Sequence, residues 1–148
     1  MTYEQLERYL DEDGVEYSRV ESFLRVVFAT NQFVNQQDGR ASLPVLIAIA
    51  EGGESVDLCS SRLYDLRTAA SPAAVCEMLA AINFQTRSFR WEVDRRDGEV
   101  RGTISARLAG GPLTHEAFRR LLGLMPRTVD FWHPVIQRVF ATGTLPPA

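Results

Sequence analysis

Two runs of alternating residues joined by a tight turn constrain the fold of this chain more than any other feature. In residues 88–94 the apolar side chains share one parity and the polar side chains the other, and residues 100–108 repeat the pattern. Such alternation is typical of strands with one buried and one solvated face. Asp97-Gly98 lies between the runs and supplies the positive-φ positions that a tight turn needs. The sequence therefore predicts a β-hairpin that bears no catalytic signature.

Other patterns predict three further strands and three helices. The first strand spans Phe23 to about Val34 and is rich in β-branched and aromatic residues. The other two span Leu43–Ala50 and Ser55–Ser61. The helices start at Thr2, at Ser71 and at Thr114, each a good N-cap residue. The order α-β-β-β-α-β-β-α predicts a two-layer α+β fold, in which an antiparallel sheet of about five strands has helices against one face.

The ends of these elements are marked by capping and breaking residues. Thr2 and Gln5 have the spacing of a capping box. Pro126 and Pro134 interrupt the last apolar stripe, so we expect one bent helix or two short ones between Thr114 and Ala141. We expect a single domain over residues 1–141, followed by a flexible tail at residues 142–148.

Composition narrows the class of protein. The chain has 148 residues, a net charge of −3 and 16 basic residues, all of them arginine. Without lysine, a Walker-type phosphate loop and a Schiff-base enzyme are excluded. No apolar run approaches the roughly 20 residues of a membrane span, and the polar N-terminus does not resemble a secretory signal, so we expect a cytoplasmic location. Cys59 and Cys76 are expected to be free thiols.

Few residues are candidates for chemistry, and we predict no cofactor and no metal. His115 and His133 lack the spacing to Cys59 and Cys76 that a zinc site requires. One alternative is a small enzyme whose site combines His133, Asp130 and Cys59. Another is a weak nucleic-acid binder that uses the arginines of the hairpin, although acids alternate with them and the net charge is negative. These arginines are Arg87, Arg90, Arg95, Arg101 and Arg107.

The apolar content suggests binding instead of catalysis. Residues 23–33 and 43–50 are apolar at both parities, whereas three helices would cover one face of the sheet. A self-association surface, or a groove for a segment of another protein, would cover the remaining apolar side chains. The candidate contact residues are Val26, Phe28, Ile47, Ile49, Phe131 and Trp132.

Several motifs along most of the chain resemble those of the YbjN family. They are Asn83 before the hairpin, residues 89–94, Asp97-Gly98-Glu99-Val100, residues 113–122, and Asp130 with Pro134. Members of this family are bacterial proteins assigned to sensory transduction regulation, and they share the fold of type III secretion chaperones. The resemblance implies a chaperone-like, non-enzymatic homodimer that binds another protein, either a signalling regulator or a client. Residues 16–34 show little of the family pattern, so the resemblance does not indicate a client.

Overall fold

The computed structural model describes all residues, 1–148, as three α-helices and six strands. The helices are α1 (Tyr3–Glu12), α2 (Pro72–Gln85) and α3 (His115–Thr142). The strands are β1 (Tyr17–Val20), β2 (Phe23–Ala29), β3 (Ser42–Ala50), β4 (Ser55–Asp65), β5 (Phe89–Val93) and β6 (Glu99–Arg107). Two short 3-10 turns, Glu51–Gly53 and Leu66–Thr68, flank β4. No helix combines the length and the hydropathy of a bilayer-spanning segment.

All neighbouring strands are antiparallel, in the order β1-β2-β3-β4-β6-β5. The predicted α+β class is confirmed. β1 is the strand that the sequence analysis did not find, because its four residues, Tyr-Ser-Arg-Val, do not form an apolar run. β2 ends at Ala29 and not near Val34, since the backbone of residues 31–33 turns to bond the side chain of Asp130.

The helices begin at the predicted caps. The Thr2 hydroxyl accepts from the Gln5 N–H and the Gln5 side chain accepts from the Thr2 N–H, which completes the capping box. α3 is one continuous helix in which both prolines lie. Pro134 is exposed, and it leaves the carbonyl of Asp130 without its helical N–H partner. Packing of α3 on the sheet then maintains the helix across both positions.

One hydrophobic core lies between the helices and one face of the sheet. Its sheet side consists of residues that are paired across the strands, such as Leu24 with Ile47 and Leu58 with Ile104. Leu6, Ile82 and Met125 are among the helix residues that close it. Phe89 packs so closely on Gly102 that a Cβ there would lie 2.3 Å from its ring, so only glycine fits. We name the opposite, uncovered side the open face.

The C-terminal residues follow α3 without further secondary structure. Gly143 ends the helix in the left-handed conformation, as glycine at this position commonly does. Leu145 is partly buried and packs against the core. The flexibility of residues 142–148 stays a prediction.

Candidate protein-interaction surfaces

The residues of the enzyme alternative do not form one site. His133 is buried, and its Nδ1 lies 2.7 Å from the hydroxyl of Tyr64, so this pair is a polar contact within the core. Cys59 lies on the open face of β4, beside Leu46 and Thr103, and the sheet separates it from His133. Burial raises the pKa of the Cys59 thiol and therefore disfavours the thiolate that a nucleophile needs. No group of three or more His, Cys, Asp or Glu side chains could hold a metal ion.

Asp130 holds the loop between β2 and β3. Its carboxylate accepts three backbone N–H groups, from Asn31, Gln32 and Phe33, at 2.8–3.0 Å. Burial by itself would raise the pKa of Asp130, but the three N–H groups lower it below its usual value. The residue is thus a structural anchor for the loop.

His115, the second histidine, joins the end of α1 to the start of α3. The Nδ1 atom of His115 lies 3.1 Å from Glu12, and its Nε2 atom lies 3.0 Å from Asp13. Its ring stacks on Tyr9 with the centroids 4.6 Å apart. Arg119 also binds Asp13, and this contact is the largest cause of a lowered pKa at Asp13. The cluster connects the C-terminus of α1 to the N-terminus of α3.

The predicted contact residues occupy three different environments. Val26 and Ile47 belong to the core under the helices, so a partner cannot reach them while the subunit is folded. Phe28 and Ile49 share that side of the sheet and are partly buried at the margin of the core. Phe131 is 71% exposed on α3, and its ring packs edge-on against the partly buried Trp132. The contact role of Phe28, Ile49, Phe131 and Trp132 stays a prediction.

The outer face of α2 is apolar, which the sequence analysis missed. Phe84 is 94% exposed near its C-terminus, and the helix bears a single charged residue, Glu77. A helix that is apolar on all sides is typically buried on all sides. The signal was present in the sequence, since fourteen residues with one charge are unusual for a surface helix. The exposed residues of this α2 face are Ala73, Cys76, Glu77, Ala80, Ala81 and Phe84.

The open face of the sheet has two unlike halves. Over β4, β5 and β6 the polar groups bind each other: Arg101 and Thr103 donate to Glu92, and Ser105 donates to Asp57. Over β1, β2 and β3 the side chains are mainly apolar, and they are exposed at Val20 and Val27 and partly exposed elsewhere. This apolar half consists of Val20, Phe23, Val27, Pro44, Leu46, Ala48 and Ala50, with Arg25 among them.

The two edges of the sheet also differ. On the β5 edge, the side-chain amide of Asn83 donates to the Trp91 carbonyl and accepts from the Trp91 N–H, at 2.9 and 2.8 Å. This pair occupies the backbone groups that an added strand would use. No side chain forms such a bond with β1, whose residues 18–20 are exposed. The β1 edge is therefore open and adjoins the apolar half of the open face.

Three of the five hairpin arginines are engaged within the chain. Arg101 binds Glu92 at 2.8 Å, and Arg107 lies 3.5 Å from Glu51. Arg90 donates to the carbonyls of Thr86 and Phe89. These contacts reduce the positive field that a nucleic-acid backbone would meet on this side of the molecule.

Comparisons with known proteins identify the fold. No protein-family model matches the chain, and no curated protein matches it. Among solved structures, YbjN from E. coli, a proposed transcription regulator, has a TM-score of 0.63 at 16% identity, over 99% of this chain and 97% of that one. A chain of the ExsC–ExsE complex has a TM-score of 0.60 at 14% identity, over 97% of this chain and 100% of that one. The predicted YbjN-like fold, that of type III secretion chaperones, is thereby confirmed.

Proposed function

We propose that this chain is a non-enzymatic, chaperone-like regulator that binds another protein, acts as a homodimer, and serves bacterial signal transduction or stress response in the cytoplasm. The observation on which this rests is that apolar side chains are uncovered on two separate surfaces, the α2 face and the apolar half of the open face. The similarity to YbjN and to a chain of the ExsC–ExsE complex agrees with it.

The α2 face suits contact with a second copy. A two-fold axis pairs one surface with itself, so a self-complementary face is needed. The α2 face has a large side chain, Phe84, at one end and small ones, Ala73 and Cys76, at the other. Two antiparallel copies of α2 would place each Phe84 over the small residues of the other copy. Small residues allow the helices to approach closely, and the aromatic rings then leave water.

The apolar half of the open face suits a different protein. It is flanked by the free β1 edge, so an extended segment could add backbone hydrogen bonds to β1 while its side chains cover Val20 and Val27. These two valines are 42% and 47% exposed. Because α2 lies on the opposite side of the sheet, this surface stays accessible in the proposed dimer.

A capture experiment with matched variants tests the binding function. Val27→Glu places a charge in the apolar half of the open face, and Val34→Glu is its control, because both valines are 47% exposed and Val34 lies in a loop. The immobilised wild-type chain and both variants are incubated with lysate of the native cell, and the retained proteins are quantified by mass spectrometry. Circular dichroism verifies that the variants are folded.

The proposal predicts a protein that the wild-type chain and Val34→Glu retain equally and that Val27→Glu loses at least tenfold. Equal retention of every protein by all three chains would contradict it. Turnover of a small molecule by the purified chain would contradict the non-enzymatic assignment.

A further inference from the structure

We infer that the outward side of α3 is a docking surface for an acidic, partly apolar segment of a partner protein, such as an amphipathic helix. This deepens the proposed protein-binding function by naming the chemistry of one partner. The surface consists of Arg120, Leu124, Arg127, Phe131 and Arg138, and we name it the α3 stripe.

The α3 stripe follows from helical spacing. Residues 120, 127 and 138 are seven and eleven positions apart, which returns each of them to nearly the same side of a helix with 3.6 residues per turn. At a rise of about 1.5 Å per residue, the three guanidinium groups start from points about 10 and about 16 Å apart along the axis. They therefore form a row about 27 Å long.

None of these three arginines has an acidic partner in the subunit. Arg120, Arg127 and Arg138 are exposed and take part in no ion pair, whereas the neighbouring Arg119 binds Asp13. The one polar contact of the row is from Nε of Arg127 to the carbonyl of Gly123.

The two acids of α3, Asp130 and Glu116, do not neutralise the row. Asp130 is adjacent to Phe131 in sequence but is occupied by the N–H groups of residues 31–33. Glu116, one turn before Arg120, is not within ion-pair distance of it. The charge of the row is therefore available to a partner.

The centre of the row is apolar. Phe131 is 71% exposed, and Leu124 is half-buried between Arg120 and Arg127. A purely solvated row of arginines would not need an exposed aromatic ring, which is typical of the centre of protein interfaces. Acids spaced along one side of a helix, with an apolar residue between them, would pair with the arginines and cover Phe131.

A protein segment fits this surface better than nucleic acid does. Affinity for nucleic acid rises with the number of phosphates that a protein neutralises, and three cations neutralise only a few. The chain also has a net charge of −3, which repels a polyanion over most of its surface.

Fluorescence anisotropy with a synthetic probe tests the inference. The probe is a fluorescein-labelled helical peptide of about 20 residues, long enough to span the row, with glutamates and leucines on one side. A second peptide has glutamine in place of each glutamate. The protein is the full chain, as wild type, as the triple variant Arg120→Gln/Arg127→Gln/Arg138→Gln, and as Phe131→Ser. The control, Arg8→Gln/Arg40→Gln/Arg95→Gln, removes the same charge from three exposed arginines without ion pairs elsewhere.

We expect the acidic peptide to bind the wild type and the control equally, with an affinity that falls as salt rises. The α3 triple variant should lose at least tenfold in affinity and Phe131→Ser several-fold, and the glutamine peptide should not bind. Equal binding by both triple variants would overturn the inference, as would binding of DNA or of anionic lipid vesicles in place of the peptide. Dimer mass and the Val27→Glu capture are measured on the same preparations, so a failure here is distinguishable from a failure of the proposed function.

Discussion

α2 and α3 lie side by side on the same face of the sheet, yet they present opposite surfaces outward. In each helix a polar side chain binds a neighbouring backbone: Asn83 of α2 binds that of Trp91, and Asp130 of α3 binds that of residues 31–33. The outer side of α2 has Phe84 and small apolar residues with one charge, whereas the outer side of α3 has a row of arginines around Phe131. Similar inner packing thus leaves the outer surface free to differ.

The exposed aromatic rings of the two helices are therefore expected to bind different kinds of partner. On α2 the ring stands among small apolar residues with a single charge, Glu77, and burying it against an identical surface removes apolar area from water. On α3 the ring stands among arginines, which an identical surface would repel. A second copy is therefore the expected partner of α2, and an acidic segment is the expected partner of α3.

The largest expected effect is on self-association, and it distinguishes Phe84 from Phe131. Phe84→Glu should weaken the dimer by at least about 100-fold, because each Phe burial contributes about 1.5–3 kcal/mol and two copies are lost. Phe131→Glu, the matched change on α3, should leave self-association unchanged. Sedimentation velocity over a dilution series measures both. If the two variants dissociate equally, or only Phe131→Glu does, the comparison is wrong.

A smaller effect, on stability, is expected at Asp130, which attaches α3 to the loop at residues 31–33. Asp130→Ala removes the acceptor of three backbone N–H groups, one of them partly buried, and should lower the free energy of unfolding by about 2 kcal/mol. Asp38→Ala is the control, since Asp38 accepts a single N–H, that of Arg40, in an exposed turn. Urea unfolding at fixed protein concentration measures the change. An unaltered unfolding midpoint for Asp130→Ala would show that water replaces the carboxylate fully.

Asn83, which attaches α2 to β5, should contribute about 1–2 kcal/mol to the free energy of unfolding through two neutral hydrogen bonds. Asn83→Ala removes both bonds to Trp91 and frees the β5 edge, so we also expect slow aggregation through that edge. Gln85→Ala, on the same helix and without such bonds, is the control. Urea unfolding and light scattering over time report the two consequences, and identical behaviour of the two variants would refute the edge-protection role.

The smallest effect concerns pH and involves one buried group of α3, His133. Burial lowers the pKa of His133 below its ordinary value of 6.5, so the unfolded chain takes up the proton first. Stability should be complete above about pH 6.5 and fall as the pH decreases towards the lowered pKa. His133→Gln, which cannot titrate, should flatten this decline. The measurement is the unfolding midpoint of the wild type and of His133→Gln between pH 7.5 and pH 5. If the midpoints of the two proteins fall in parallel, His133 is not the cause of the decline.

Much of the fold could be predicted from the sequence because its signals are local. The hairpin around Asp97-Gly98 and the caps at Thr2 and Ser71 depend on neighbouring residues alone. β1 could not be predicted, because a short polar strand at an edge is defined by its pairing with β2 and not by its own residues. A long-range bond fixed the end of β2, since Asp130 lies about a hundred positions away from the loop that it holds.

The interaction surfaces were harder to predict, for a related reason. Alternation shows that a strand has two faces but not which face the helices cover, so Val26 and Ile47 could not be assigned to the core. In α2 the buried residues Val75, Leu79 and Ile82 recur at the helical period, but this period does not report the lack of charge on the outer side. The single charge in the fourteen residues of α2 is the sequence signal for its apolar outer side.

The molar mass of the intact wild-type chain in solution tests most directly whether a second copy covers α2. Size-exclusion chromatography with multi-angle light scattering at micromolar concentration should give twice the 16.6 kDa of one chain, and Phe84→Glu should give 16.6 kDa under the same conditions. A wild-type chain that elutes only at 16.6 kDa would show that no second copy covers α2.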